Sequence, residues 1–527
     1  MAGRLSASRG WLLAGVLVLA APWAAARGAA SPEDLLREVQ GLLAAGQLSA
    51  AARKLEASLP AYPDEPRLYN ALGIISAQQG KTAEAETHFR KAVALAPRFV
   101  DALLNLGRLY QQDSSAGDTL DKAIATYESI AEFKPGHVEA NYQLAVLLQR
   151  RGAYRQSQDH LGRLPQTAQQ RAQALSIRCA NLAALGDVTA AGQAAKQLLQ
   201  ADDFSELDVT TILPVIETVG QTGLTITLLE GLSVKGRASN ESLRQLGLAY
   251  EREDKLERAR ENLEKAAPGF QDNLTPLLRE LARVAYKQQD YKGALGYLAH
   301  ARDLEPEDAS IHFFFGMTCL AAELVIEARN SLQKAVELEP DQPYYNYALG
   351  AVLSTQRNAG NAVPYLEKFL EMKPGDARGR LSLGVALYRS AAHQRARQEF
   401  EAVARQQETA PVANYYLGRI ALRNNDLEQA VHYLQQAIRH EPEYADAHAD
   451  LGLVYIRQGR HEDAAKALDK AMEIDPEGYR TNLNLLLLYQ RTKDPRQKAQ
   501  KEKFGRLQKK QEERLEMVMR SIEVRPY

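Results

Sequence analysis

A few short stretches of this sequence carry residue types that could do chemistry. Gly80-Lys81-Thr82 has the ending of a phosphate-cradling loop, where glycine amides hold an anion and a lysine meets its outer oxygens. That loop needs a glycine five residues earlier and a strand before it, and Ile75 stands at the glycine's place. Ser331-Leu332-Gln333-Lys334 has the S-x-x-K spacing of serine acyl-transfer enzymes, without the companion K-T-G. His432, His440 and His448 are spaced by eight, which cannot gather metal ligands on one helix, and the chain has no H-x-x-x-H pair. His461-Glu462 lacks the second histidine of a zinc-protease helix. The acidic residues are scattered, with no pair that falls in one cleft for acid–base work. No catalytic residue, metal site or cofactor site is therefore expected. Asn240-Glu241-Ser242 and Asn273-Leu274-Thr275 are N-glycosylation acceptors if the source is eukaryotic.

The elements that carry these stretches repeat. In Ala445 to Gly478, with Ala445 as position 1, Leu451 and Gly452 fall at 7 and 8, Tyr455 at 11, Ala464 at 20, Leu468 at 24, Ala471 at 27 and Pro476 at 32. Stepping back 34 residues returns Leu417, Gly418, Ala421, Ala430, Leu434, Ala437 and Pro442. Further clean copies begin at Thr275, Ala309 and Pro343. Apolar residues at 4, 7, 8 and 11 make one helical face, and those at 20, 24 and 27 make a second. Gly459 can take the left-handed conformation that ends the first helix, and Pro476, lacking an amide hydrogen, stops the second. Gly452 and Ala464 are small where the two helices must approach. One such hairpin cannot bury its face alone, so copies stack into a solenoid.

This pattern resembles the tetratricopeptide repeat (TPR) family over nearly the whole chain after residue 30. The resemblance implies an all-α, right-handed superhelical solenoid of about 13 helix-turn-helix repeats closed by a C-terminal capping helix.

In chain order, residues 1–30 read as a secretory signal peptide: Arg4 and Arg9, the apolar run Leu12 to Ala21, Pro22, then Ala24-Ala25-Ala26, with the mature chain starting near Arg27 or Ser31. No other stretch is apolar enough to span a bilayer, which places the mature chain outside the cytoplasm, periplasmic or secreted. Residues 31–164 hold N-terminal repeats, with surplus residues in a Ser/Asp/Gly loop from Gln112 to Asp118. Across 165–239 the signature fades to two degenerate hairpins, Pro214 interrupting one of them, and this stretch is read as drift within a continuous solenoid. Repeats return over 240–478. Residues 479–527 form a half-repeat and a charged helix whose Leu507, Leu515, Val518 and Met519 can cover the last apolar edge. Lys+Arg of 65 against Asp+Glu of 66 gives no general attraction to nucleic acid or anionic membrane. Cys179 and Cys319, the only cysteines, fall on helical faces as buried free thiols, so stability must come from packing.

These readings point to a non-catalytic protein–protein interaction scaffold. The other class is a repeat subunit of an extracytoplasmic enzyme complex, such as a glycosyltransferase or an envelope-assembly machine. The TPR resemblance implies a concave face lined by positions 2, 5, 9 and 12 of each first helix. Those positions hold Arg283, Phe313, Met317, Tyr344, Tyr347, Tyr388, Tyr415 and Arg419. Aromatic and Met side chains with flanking arginines are hot-spot composition, expected to hold a protein or peptide partner, Arg283 and Arg419 selecting acidic flanks. The carboxylate clamp of chaperone-tail receptors is not expected: Asn105 stands at one clamp position, but Asn70, Ile74, Glu139 and Gln143 do not complete the pattern.

Overall fold

The computed structural model describes residues 31–112, 117–356 and 358–509. The expected signal segment, the middle of the Gln112–Asp118 loop, and Leu515, Val518 and Met519 lie outside them.

The unit of construction is clearest in the repeat from Ala445. Its helices are Ala445–Arg457 and His461–Ile474. Leu451, Val454 and Tyr455 of the first are buried against Ala464, Leu468 and Ala471 of the second. A Cβ at Gly452 would stand 2.6 Å from Leu468 Cγ, so only glycine lets the helices meet at this distance. The first helix ends as Gly459, at φ +75, donates to Ile456 O and Arg460 N donates to Tyr455 O, the paired bonds of a left-handed C-cap. In other repeats the same turn is made without glycine. Asp254, Gln289, Glu323, Ala391 and Asn425 hold φ between +55 and +66 there.

Thirteen such hairpins follow one another among the described residues, from Pro32–Ala44 with Leu48–Ser58 to the repeat just described. Tyr479–Thr492 begins a half-repeat, and residues 497–509 are helical. The architecture is the expected all-α solenoid of stacked hairpins, with no strand among the described residues. In the weakened stretch, Ala172–Ala184 and Val188–Gln200 still form a full hairpin. The next one has its first helix broken into Glu206–Thr210 and Leu213–Thr218, with Pro214 in the opening turn of the second piece.

Seven of the joints between repeats share a device. The residue at position 4 of a first helix donates its side chain to the carbonyl of a proline six residues earlier. Asn141, Asn346 and Asn482 do so through Nδ2 to Pro135, Pro340 and Pro476. Tyr69, His312, Arg380 and His448 do the same for Pro63, Pro306, Pro374 and Pro442, at 2.8–3.1 Å. The carbonyl of a proline in the linker, just beyond the end of the preceding helix, is thus satisfied by the next repeat.

The described residues fall into two compact units that divide between Gln271 and Asp272. The first holds seven hairpins and includes the weakened 165–239 stretch; the second holds six, the half-repeat and the helical residues 497–509.

Candidate functional site

All eight candidate residues lie in the second unit, on the first helices of successive repeats, and the structure sorts them into two groups. The first group borders solvent. Phe313 and Met317, on Ala309–Ala321, are half-buried, and the Phe313 ring stacks on Tyr345 with centroids 4.7 Å apart. Tyr344 and Tyr347, on Pro343–Thr355, sit above the buried Phe369 of their own repeat at 6.5 and 5.0 Å. Tyr344 is 58% exposed, the most exposed aromatic side chain of this unit among the described residues. Arg283 stands on the exposed side of Thr275–Lys287.

The second group is a closed cluster. Tyr415 is only 3% exposed, its ring 4.9 Å from Tyr444 and 5.3 Å from Tyr416. Tyr388 meets Tyr416 edge-on at 5.0 Å. The Arg419 guanidinium lies over both rings, 5.1 Å from Tyr388 and 5.6 Å from Tyr415. Its Nε is 3.6 Å from Asp450 Oδ2, and Arg480 Nη1 donates to the same oxygen at 3.1 Å. Arg480 also reaches Asp446 at 3.8 Å. Burial raises the Asp450 carboxyl above its usual range, against the pull of Arg480 and Arg419. Burial likewise pushes the Tyr415 phenol well up.

Two of the expectations are corrected here. Tyr415 is part of the wall, because Tyr416 and Tyr444 close over it. Arg419 does not stand ready for an acidic flank, because Asp450 of the next repeat already takes its charge. Asp450 sits at position 6 and Arg480 at position 2 of successive repeats; reading charges across repeats, instead of along each helix, was the signal that could have found the cluster.

In the first unit, Asn105 Nδ2 donates to Asn70 Oδ1 at 3.0 Å, and Arg108 Nη1 donates to Asn105 Oδ1 at 3.4 Å. Arg108 is in turn held by Glu139 through Nε at 3.1 Å. The one clamp-type asparagine is therefore committed to its neighbours.

The tetratricopeptide repeat signature matches residues 36–98, 77–138, 279–343, 347–411 and 415–479, and a second signature of the same description matches 116–178. The chain belongs to the tetratricopeptide repeat family. No curated protein matches the sequence. Solved structures with similar chains include a tetratricopeptide repeat protein from Parabacteroides merdae, 16% identical, covering 47% of this chain and 98% of that one at a TM-score of 0.39. Yeast Tom70 is 17% identical over 86% of this chain and 94% of its own, at 0.34. PilW, a type IV pilus biogenesis factor, is 18% identical over 40% and 99%, at 0.36.

Each chemical near-match has a place in a TPR repeat. Gly80 is the left-handed turn residue, at φ +76, and Lys81 precedes Thr82–Leu95 and pairs with Glu84 at 3.0 Å. Ser331 is buried on Val325–Leu338, and Lys334 faces Glu307 at 3.8 Å. His448 serves Pro442 at a repeat joint. Burial pushes the Cys179 thiol up to about 12 and the Cys319 thiol up to about 11, far from the thiolate that reactivity needs. In the Asn240 sequon Ser242 is buried and donates to Glu206, while Asn240 itself is exposed. Among the described residues no group of three His, Cys, Asp or Glu could hold a metal ion, and no helix is long and apolar enough to cross a membrane.

Proposed function

We propose that this TPR protein is a non-catalytic scaffold that holds a partner protein on the open aromatic face of its second unit, outside the cytoplasm. The observation that carries this reading is Tyr344: a ring more than half exposed, beside the half-buried Tyr347, Phe313 and Met317. These side chains occupy positions 2, 5 and 9, off the 4-7-8-11 face that packs the hairpins. Large rings cost little conformational entropy to fix and carry much apolar area, so a partner that seats an apolar side chain between them gains a central anchor. The occupant that fits is an extended or helical peptide segment with an apolar residue. Arg378, which borders this face, donates through Nε to Glu408 at 2.8 Å and stays at the rim.

The test uses a partner recovered by pull-down from the extracytoplasmic fraction. Tyr344→Ala/Tyr347→Ala should weaken its binding by at least ~2 kcal/mol. Tyr344→Ala alone should leave the melting temperature unchanged, because its ring is mostly in water. Unchanged affinity in the double variant, or substrate turnover by the purified chain alone, overturns the reading. The extracytoplasmic part rests on the sequence of residues 1–30, and mass spectrometry from the native host showing an intact Met1 to Ala26 would refute it.

A further inference from the structure

The second unit carries a row of arginines that neither the aromatic face nor the repeat signature uses. Arg389, Arg423, Arg457 and Arg491 follow at intervals of 34 residues. Each lies in the last turn of a first helix: Ala377–Arg389, Ala410–Arg423, Ala445–Arg457 and Tyr479–Thr492. All four are exposed. The corresponding residues of the two preceding repeats are Ala321 and Thr355, so the row begins at Arg389.

Part of this has a local cause. A cation is favoured at a helix C-terminus, and two of the four also reach the helix of the preceding repeat. Arg389 Nη2 donates to Thr355 O at 3.1 Å and Gln356 O at 3.4 Å, and Arg457 Nη1 donates to Leu422 O at 3.3 Å. These bonds involve no carboxylate. Four other exposed arginines of the unit are neutralised, Arg395 by Glu367, Arg397 by Glu401, Arg460 by Asp463 and Arg496 by Asp494, while the exposed Arg405, Arg439 and Arg506 stand off the row. Among the described residues none of the four in the row has such a partner. Four unneutralised guanidiniums remain along one edge, two of them held by backbone carbonyls.

The spacing names the ligand chemistry. Successive first helices touch here, as the bonds from Arg389 to Thr355 and from Arg457 to Leu422 show, and packed helices lie about 8–10 Å apart. A polyproline-II chain advances about 3.1 Å per residue with three residues per turn, so it presents one side chain to the same side every ~9.3 Å. Every third phosphate of a duplex strand also advances about 10 Å, but with about ten phosphates per turn it has rotated away from the side facing the row.

We propose that Arg389, Arg423, Arg457 and Arg491 form a docking edge for an extended acidic segment of a protein partner, with Asp or Glu at every third residue. The edge is separate from the aromatic face, and either can fail without the other.

The probe is a fluorescein-labelled peptide of four Glu-Pro-Pro triplets, read by fluorescence anisotropy at about 50 mM salt, where exposed charges are weakly screened. The controls are the Gln-Pro-Pro peptide and a peptide of the same composition with its four glutamates contiguous. Arg423→Glu/Arg491→Glu reverses the two arginines that make no backbone bond, so the carbonyl contacts of Arg389 and Arg457 stay. Expected are binding by the full chain that falls as salt rises, a loss of about tenfold or more in the variant at unchanged melting temperature, and full binding by Tyr344→Ala/Tyr347→Ala. Absence of binding, equal affinity in the charge-reversal variant, equal affinity for the contiguous-glutamate peptide, or tighter binding of oligouridylate at the same arginines each overturns the proposal.

Discussion

Replacing Gln289, Glu323 and Ala391 together by glycine should stabilise the second unit. All three hold left-handed backbone, at φ +61, +61 and +66, where Gly459 and the other turn glycines sit without strain. A residue with a Cβ pays about 1–2 kcal/mol in that conformation. Glycine returns roughly 0.5–1 kcal/mol of this through its looser unfolded chain. The net gain is about 0.5–1 kcal/mol per site, and sites in different repeats should add to about 2 kcal/mol. The three side chains are exposed, and the backbone bonds of the turn, such as Ala391 N to Tyr388 O, do not depend on them. For a unit of this size that corresponds to a rise of about 4–8 °C in the midpoint, followed by circular dichroism on heating and in urea. Asn425→Gly is the internal control: it shares the conformation, at φ +59, but asparagine tolerates it, so its gain should be smaller than that of Ala391→Gly. A triple variant no more stable than the parent, or an Asn425→Gly gain equal to that of Ala391→Gly, would show that left-handed strain is not what separates these turns.

Two further outcomes follow from packing and burial. Gly384→Ala would place a Cβ 2.6 Å from Phe400 Cε1, in a ring fully buried and stacked on Tyr416 at 5.1 Å, and should cost about 1–3 kcal/mol in urea unfolding. Gly296→Ala, with nothing within 4 Å on Tyr291–Leu304, should instead stabilise by up to about 1 kcal/mol. Because burial raises the Asp450 carboxyl, the folded chain takes up that proton at a higher pH than the unfolded chain. Its contribution to stability therefore grows as pH falls through the folded value and levels off below the unfolded value near 3.9. Asp450→Asn should remove that component, seen as a parent-minus-variant difference in urea midpoint that shifts in the parent's favour from about pH 7 to about pH 4. A difference independent of pH would mean that Asp450 titrates as it does in the unfolded chain.

Much of the fold was legible because a 34-residue period constrains every level at once. Leu451, Gly452, Tyr455, Ala464 and Leu468 named both helices of their repeat and their meeting point, and the structure puts a helix, a turn and a helix there. Pro214 marked a broken helix because proline lacks an amide hydrogen and clashes one turn back, and the helix is broken at its site. The turns at Gln289, Glu323 and Ala391 were less legible, since paired backbone bonds impose the left-handed residue whatever its type. At the candidate site, position alone put Tyr344 and Tyr347 off the packing face, and Tyr344 is more than half exposed while Tyr347 is half-buried. Tyr415 and Arg419 were not, because their burial depends on Asp450 and Tyr444, from the next repeat and the joint before it, and on Arg480 one repeat further on. A helical wheel holds one element at a time; the row that closes over Tyr415 runs across three.

The joint at the closing prolines bears on how such a chain can lengthen and shorten. In the seven joints that carry it the donor at position 4 is Asn, His, Arg or Tyr, and the acceptor is the carbonyl six residues before it. The bond thus fixes a distance along the chain while leaving the donor's identity open. Excising residues 343–376 would bring Arg380 to the sixth place after Pro340, where Asn346 now stands, so the new junction would be born with its hydrogen bond made. Whole-repeat duplication and loss are then the mutational steps that leave no orphaned carbonyl at the seam. A cut out of phase with the period strands one, so the array can change its reach in units of a single hairpin more readily than by a few residues.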